Sequence, residues 1–542
     1  MTNDELLKKA MHAHQAGKLQ DAEAMYRQVL HTEPRRPDAL EGLGVLALQL
    51  GRKQEALEYL RAAVAVAPRV ASVYLNVGAA LDESGQYDEA IAAYQQAIAL
   101  KPDYARAYSN LGNTLRKKGL INEAISACRR ALVIKPDSAQ AQNNLGAALL
   151  EVNPDEAIAH YQMALNLRPN YAEALDGIGA ALLRKGDLDL AIRYCRQAVE
   201  VRPNLPEAQI NLGSALAASA AWEPATACFA RAIQIAPQSA VAHWNLGLMC
   251  LLGGDFQFGW PEYEWRLRVG QFKAPVQSAE PRWDGSELNG RRILLYAEQG
   301  LGDVIQFARF IPEVARRGGK ISVVCHTQMR RIVQRMDGVE QCSTFEEPLP
   351  EHDVQCPLMS LAGLFKTDLS NLPAQVPYIT ADPQLSSAWK VRVPSDGRMK
   401  IGLCWTGKMV PHDRSISVDQ LAPLSQNEKF WFCSLQKWEQ GQTPSSPPLP
   451  LTDWTGELND MSDTAALIDN LDVVISIDTS VAHLAGAMGK KTFVLLRKAC
   501  DWRWLLNRSD SPWYPTARLC RQQKLGEWTG AIEQLLAELK TL

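Results

Sequence analysis

Two turns in the second half of the chain place reactive side chains at the starts of helical patterns. Asp303 closes Gly300-Leu-Gly-Asp303, between an apolar run and an amphipathic stretch. A carboxylate at such a turn can take a proton from a hydroxyl. Asp is also a favoured helix cap, but a cap leaves the flanking Gly300 and Gly302 without a reason. Asp478-Thr-Ser480 stands in the equivalent place later in the chain. The helix after it offers free backbone N–H groups and the positive end of its dipole, and Thr479 and Ser480 add hydroxyl donors, which together suit a phosphate. Asp478 itself would repel an anion, so it fits orienting the turn or meeting a ligand hydroxyl. Residues 406–415 supply a glycine and the cations Lys408 and Arg414, the composition of a phosphate loop. Gln436, at the end of another apolar run, could hydrogen-bond a ligand. Asp501-Trp-Arg-Trp504 with Trp513-Tyr514 could stack on a flat ring or pack domains together. No grouping of His, Cys and carboxylates has metal-ligand spacing, so no metal is expected.

The elements that must carry these turns are strands followed by helices. Residues 292–298 and 321–324 read as buried strands with an amphipathic helix over 304–317 between them. A second set has strands at 400–405, 430–435, 471–477 and 492–496, with a helix over 481–488. Strand, helix, strand on both sides of a linker near 380–398 predicts two Rossmann-like parallel-sheet domains, 271–390 and 391–542, facing a cleft. Ligands of such sheets bind at the carboxyl ends of the strands, where both turns fall.

Residues 1–270 follow another rule. Prolines recur at Pro34, Pro68, Pro102, Pro136, Pro169, Pro203 and Pro237, at intervals of 34, 34, 34, 33, 34 and 34. This is the tetratricopeptide period. Small residues twelve apart, such as Gly112 with Ala124 and Gly179 with Ala191, let two antiparallel helices approach closely. About eight helix pairs ending near Arg268 are predicted, forming an α-solenoid with a free concave face. The short interval falls where Glu151-Val-Asn-Pro154 replaces a Gly-containing turn, predicting a tighter loop. Asn76, Asn110, Asn144, Asn211 and Asn245 each lie two residues before the glycine of their helix, and Gly177 breaks the column. An amide carries donors and an acceptor, so such a column can hold an extended peptide by its backbone; it can also serve local packing.

Composition narrows the partners. With 46% hydrophobic and 22% charged residues and a net charge of -3, the chain is an ordinary globular protein without the basic footprint of a nucleic-acid binder. No apolar run is long enough to span a bilayer, and the N-terminus resembles neither a secretory signal nor a transit peptide, so a cytoplasmic location is expected. Eleven cysteines without a Cys-x-x-Cys pair are expected to be reduced thiols.

Gly302-Asp303 opening a helix, and above all Asp478-Thr-Ser-Val-Ala-His-Leu-Ala-Gly-Ala-Met-Gly489, resemble the two signatures of heptosyltransferase-like, family-9 glycosyltransferases. Gly300-Leu-Gly-Asp-Val-Ile-Gln-Phe-Ala-Arg309, Asp463-Thr-Ala-Ala-Leu467 and Asp510-Ser-Pro-Trp-Tyr-Pro515 extend the resemblance to the bacterial subgroup in which tetratricopeptide repeats precede such a domain. The resemblance implies a GT-B architecture and an inverting, metal-independent transfer from a nucleotide-diphosphate sugar, which is a co-substrate, so no cofactor is needed. It implies Asp303 as catalytic base and a donor site including Arg414, Asp478, Thr479, Ser480 and His483; Lys408 stands where Asn is usual. The asparagine column resembles the ladder in the repeats of protein O-GlcNAc transferases. The leading expectation is transfer to a hydroxyl of a protein held by the repeats, with flagellin or an adhesin a plausible acceptor and an oligomer left open. Two alternatives stay open: a saccharide acceptor with the repeats recruiting other cell-envelope enzymes, and a non-catalytic scaffold.

Overall fold

The computed structural model describes residues 1–270, 276–407, 414–438 and 445–542. The chain forms two compact units, Met1–Ala215 and Leu216–Leu542.

Six complete helix pairs fill the first unit, from Asn3–Gln15 with Leu19–Thr32 to Ala172–Lys185 with Leu188–Val201, and Pro206–Ala218 opens the seventh. The predicted small pairs are needed sterically. A Cβ on Gly112 would lie 2.3 Å from the Cys128 sulfur and 3.1 Å from the Ala124 carbonyl oxygen, and one on Gly179 would lie 2.3 Å from the Cys195 sulfur. Each periodic proline follows the end of a second helix, where it cannot continue the ladder of hydrogen bonds. In the fifth pair the first helix, Ala139–Leu149, has 11 residues where its neighbours have 13 or 14, and Asn153 caps the second by accepting from the Glu156 N–H at 3.2 Å. The shortening thus falls on the helix: the connecting segment 150–153 has four residues where the four preceding pairs have three, so the expected tighter loop does not form.

The second unit begins with Trp222–Ile235 and the eighth pair, Ala240–Gly253 and Phe256–Tyr263, followed by a 3-10 turn, Glu264–Arg268. A boundary near 270 is therefore not where the compact unit starts. Leu251, Phe256, Trp260 and Tyr263 share one hydrophobic core with Phe307, Trp502 and Trp513. Trp260 donates its indole N–H to the Thr367 carbonyl at 2.7 Å, and buried Arg266 reaches Glu298 and Ser360, each at 2.9 Å. Aromatic packing thus ties the last repeat to the sheets, which the repeat period alone cannot reveal.

The strands are β1 (Arg292–Tyr296), β2 (Lys320–Cys325), β3 (Val339–Thr344), β4 (Val354–Pro357), β5 (Met399–Cys404), β6 (Phe430–Ser434), β7 (Leu451–Thr452), β8 (Val473–Ile477), β9 (Lys491–Leu496) and β10 (Ala517–Arg521). They form two sheets of order β3-β2-β1-β4 and β10-β9-β8-β5-β6-β7, and every strand pair between them is parallel. β1 and β8 each have neighbours on both sides, so the turns after them rise from sheet interiors. The helix expected over 304–317 is split into Leu301–Ala308 and Ile311–Arg316, with Pro312 opening the second piece.

Candidate functional site

The helix Leu301–Ala308 starts directly beyond β1, with Gly300 at its N-cap and no side-chain cap bond. Asp303 therefore does not cap its own helix. Its carboxylate instead accepts from the guanidinium of Arg503, 200 residues away, on the 3-10 turn Trp502–Trp504 beyond β9. Arg503 holds a second carboxylate, Asp501, at 2.7 Å. Burial opposes its charge, but Asp501 and Asp303 outweigh that and keep the guanidinium firmly protonated.

The helix Ser480–Ala487 starts beyond β8, with Thr479 at its N-cap in extended geometry. Asp478, 8% exposed, accepts from Arg414 at 3.0 Å, and its carbonyl accepts from the same nitrogen at 3.3 Å. Burial raises the Asp478 pKa and the Arg414 charge only partly offsets this. For Asp501, burial pushes upward but Arg503 and Arg414 prevail and hold its carboxyl below the usual range. The Thr479 hydroxyl lies 3.0 Å from that of Ser476, and Thr479 and Ser480 remain partly exposed.

His483 joins the two turns. A Cβ on Gly302 would lie 2.9 Å from its ring, so glycine at 302 is what lets the first turn approach the second. The imidazole is 4% exposed and stacks on Trp504 at 5.2 Å, with Nδ1 2.8 Å from the Tyr514 hydroxyl and Nε2 3.8 Å from Asp478. Burial first, then the charge of Arg503, lowers its pKa to about 3. His483 is therefore a neutral spacer, with no positive charge for a phosphate.

The arrangement gathers three carboxylates (Asp303, Asp478, Asp501) and two guanidiniums (Arg414, Arg503) around two helix N-termini. Sequence reading misses Arg503 and Asp501 as charged partners because the tryptophans beside them draw the eye to stacking. Those aromatics pack the interior: Trp502, Trp504, Trp513 and Tyr514 are all 3% exposed or less. A charge between two buried tryptophans was the available signal.

Gln436 lies nearby but is spent on the protein. Its side-chain oxygen accepts from the backbone N–H of Trp405 at 3.1 Å and of Thr406 at 2.8 Å, and its amide donates to the Lys437 carbonyl at 2.9 Å. It braces the loop after β5, an engagement that competes with the expected contact to a ligand. Lys408 lies outside the described residues. Among the described residues no group of three or more His, Cys, Asp or Glu is placed to hold a metal, and no helix is long and apolar enough to cross a membrane. None of the eleven cysteines forms a disulfide, and eight of them are buried.

In the repeats, the asparagine column divides. Asn76, Asn144 and Asn211 each donate to the residue 35 positions earlier, in the preceding repeat: Glu41 at 2.8 Å, Ser109 at 3.0 Å and Asp176 at 2.9 Å. Asn110 faces a different case: its equivalent partner position is Leu75, which has no side-chain acceptor, and its side-chain oxygen Oδ1 accepts from the Gln140 amide at 3.1 Å. Asn245, in the second unit, is partly exposed. Three of the five asparagines thus spend donor capacity on joining repeats, which reduces what the ladder can offer a peptide. Gly177 has a steric cause: a Cβ there would lie 2.3 Å from the Tyr161 ring.

Family models for the TPR repeat match residues 81–119, and tetratricopeptide-repeat models match residues 7–71, 152–208 and 177–240, and 103–170. Tetratricopeptide repeats therefore make up the N-terminal part of the chain, and they are scaffolds for protein interaction. Protein FlbA of Caulobacter vibrioides is 24% identical over 315 residues, 52% of this chain and 52% of that protein. The chain spans about half the length of the curated relative it matches. Among solved structures, a tetratricopeptide repeat protein from Parabacteroides merdae is 18% identical over 46% of this chain and 98% of its own, with a TM-score of 0.40. YrrB, a TPR protein with an unusual peptide-binding site, is 27% identical over 34% of this chain and 96% of its own, with a TM-score of 0.26. Overlaps this loose carry no argument about the site.

Proposed function

We propose that the chain is an inverting glycosyltransferase of GT-B architecture that moves a sugar from a nucleotide-diphosphate donor to a hydroxyl of a protein held by its repeats. The observation that carries this reading is the meeting of two helix N-termini from different sheets, one bearing Asp303 and the other Asp478-Thr-Ser480, locked by the contact between Gly302 and His483. A diphosphate fits the second N-terminus, where free N–H groups, Thr479, Ser480 and the half-exposed Arg414 can receive its charge. An acceptor hydroxyl beside Asp303 would lose its proton to the carboxylate as its oxygen bonds to the anomeric carbon. The bond from that carbon to the diphosphate oxygen breaks at the same time, and the electron pair leaves with the diphosphate. Only one proton acceptor and a stabilised leaving group are required, which agrees with a reaction that uses no cofactor. Flagellin or an adhesin is the acceptor class we favour, on the resemblance of the C-terminal motifs and not on the geometry.

The test is calorimetric titration of the full chain with nucleoside diphosphates and nucleotide sugars, followed by intact-mass measurement of candidate acceptors. Binding together with an added sugar mass is expected, and Asp303→Asn should cut turnover by roughly 10²- to 10⁴-fold while leaving nucleotide binding in place. Full turnover in Asp303→Asn would remove the base assignment.

A second reading has one observation in its favour: Asp303 is already engaged by Arg503. On this reading the site binds a nucleotide without turning it over, and the protein acts as an interaction scaffold. Nucleotide binding without any added sugar mass, across the donors and acceptors tried, would favour it.

A further inference from the structure

Arg503 is held more tightly than a packing residue requires. Its side chain is 9% exposed, and it grips two carboxylates through different nitrogens, Nη1 on Asp501 and Nη2 on Asp303. Asp501 also accepts the backbone N–H of Arg503 at 3.1 Å, so the anchor carboxylate and the guanidinium are fixed to the same turn. The guanidinium carbon lies 4.6 Å from the centre of the Trp502 ring, and Trp502 is wedged against Trp260 at 5.4 Å and Trp513 at 5.9 Å. Its Nε is buried without a hydrogen-bond partner among the described residues. Leaving a buried N–H unmade is costly, so the arrangement gives up one bond to keep both Nη groups on carboxylates.

The two carboxylates differ. Asp501 sits on the same turn as Arg503, whereas Asp303 comes from the other sheet and keeps 19% of its side chain exposed. Arg503 takes Oδ1 of Asp303, which sets the orientation of the carboxylate and leaves Oδ2 without a hydrogen bond among the described residues.

Resting on the transferase reading, we propose that Arg503 is a positioning residue: with Asp501 as its anchor it clamps Oδ1 of Asp303 across the two sheets so that Oδ2 alone receives the acceptor proton. In the step, the acceptor O–H bond breaks and an Oδ2–H bond forms, while the sugar passes from the diphosphate oxygen to the acceptor oxygen. Arg503 neither gives nor takes a proton. A planar guanidinium can hold two carboxylates in fixed directions, which an ammonium cannot.

The test compares wild type, Arg503→Ala, Arg503→Lys, and Asp303→Asn with and without Arg503→Ala, all as full chains. In Arg503→Ala, kcat should fall on the order of 100-fold with donor KM changed by no more than about 3-fold, the signature of a misplaced reacting group. Low-millimolar guanidinium should restore part of that kcat, while sodium chloride at equal ionic strength should not. Arg503→Lys should lie between wild type and Arg503→Ala, and adding Arg503→Ala to Asp303→Asn should cost no further rate. Unchanged kcat in Arg503→Ala, a loss indifferent to guanidinium, or an additive loss in the Asp303→Asn background would each overturn the proposal. If the wild type transfers no sugar, the transferase reading fails and takes this inference with it; a transferring wild type with one of those three results removes the Arg503 role alone.

Discussion

The two compact units handle polar side chains over very different distances along the chain. In the repeats, the contacts that join neighbours span about one period: Asn76 with Glu41, Asn144 with Ser109 and Asn211 with Asp176 are each 35 residues apart, and Arg202 with Glu173 is 29 apart. In the sheet-bearing unit, Arg503 reaches Asp303 across 200 residues, Arg309 reaches the Trp513 carbonyl across 204, and Trp260 reaches Thr367 across 107. A repeat contact is rewritten every 34 residues and tolerates variation in any one copy, as the column interrupted at Gly177 illustrates. The site around Asp303 has no second copy, so each of its charges depends on partners from distant segments.

The comparison breaks most visibly at Asp176, where the repeats bury a carboxylate as deeply as the site does. Burial raises its pKa to about 7, against the partial relief of the Asn211 hydrogen bond. A folded-state pKa above the unfolded one means the folded protein binds the extra proton, so stability falls as pH rises from about 4 through 7. Asp176→Asn should therefore stabilise the chain at pH 8 by on the order of 1–4 kcal/mol and have little effect at pH 4. Urea unfolding at the two pH values checks this, and a pH-independent difference would show that the carboxylate is not protonated on burial.

Gly177→Asn sharpens the local character of the repeats. It completes the asparagine column, but its Cβ meets the Tyr161 ring, so a loss of about 1–3 kcal/mol is expected in thermal unfolding. A mutant as stable as the wild type would mean that Tyr161 moves aside freely. The smallest effect belongs to His483. With its pKa lowered to about 3, its ring resonances should not shift between pH 5 and 8 in NMR spectra. A midpoint inside that window would show that the imidazole is solvated and charged.

Much of the second unit was also readable in outline. Strands predicted at 321–324, 400–405, 430–435 and 492–496 fall on β2, β5, β6 and β9 within two residues, because buried parallel strands are short continuous apolar runs. The two turns appear where glycine and a small polar residue interrupt such runs. The partners of Asp303, the neutral state of His483 and the bracing role of Gln436 were not readable, since each depends on which segments pack together.

By itself, the sequence determined the repeat period, the close helix approaches at Gly112 and Gly179, and the strand-turn-helix phrases around Asp303 and Asp478, because these are fixed by local sterics and short-range patterning. Only the tertiary structure decided that the eighth helix pair shares its core with the sheets, that Asn76, Asn144 and Asn211 join repeats, and that Arg503 holds Asp303. The physical reason is that burial and charge pairing act through space: a guanidinium and a carboxylate 200 residues apart acquire their roles only when apolar packing excludes the water that would otherwise screen them.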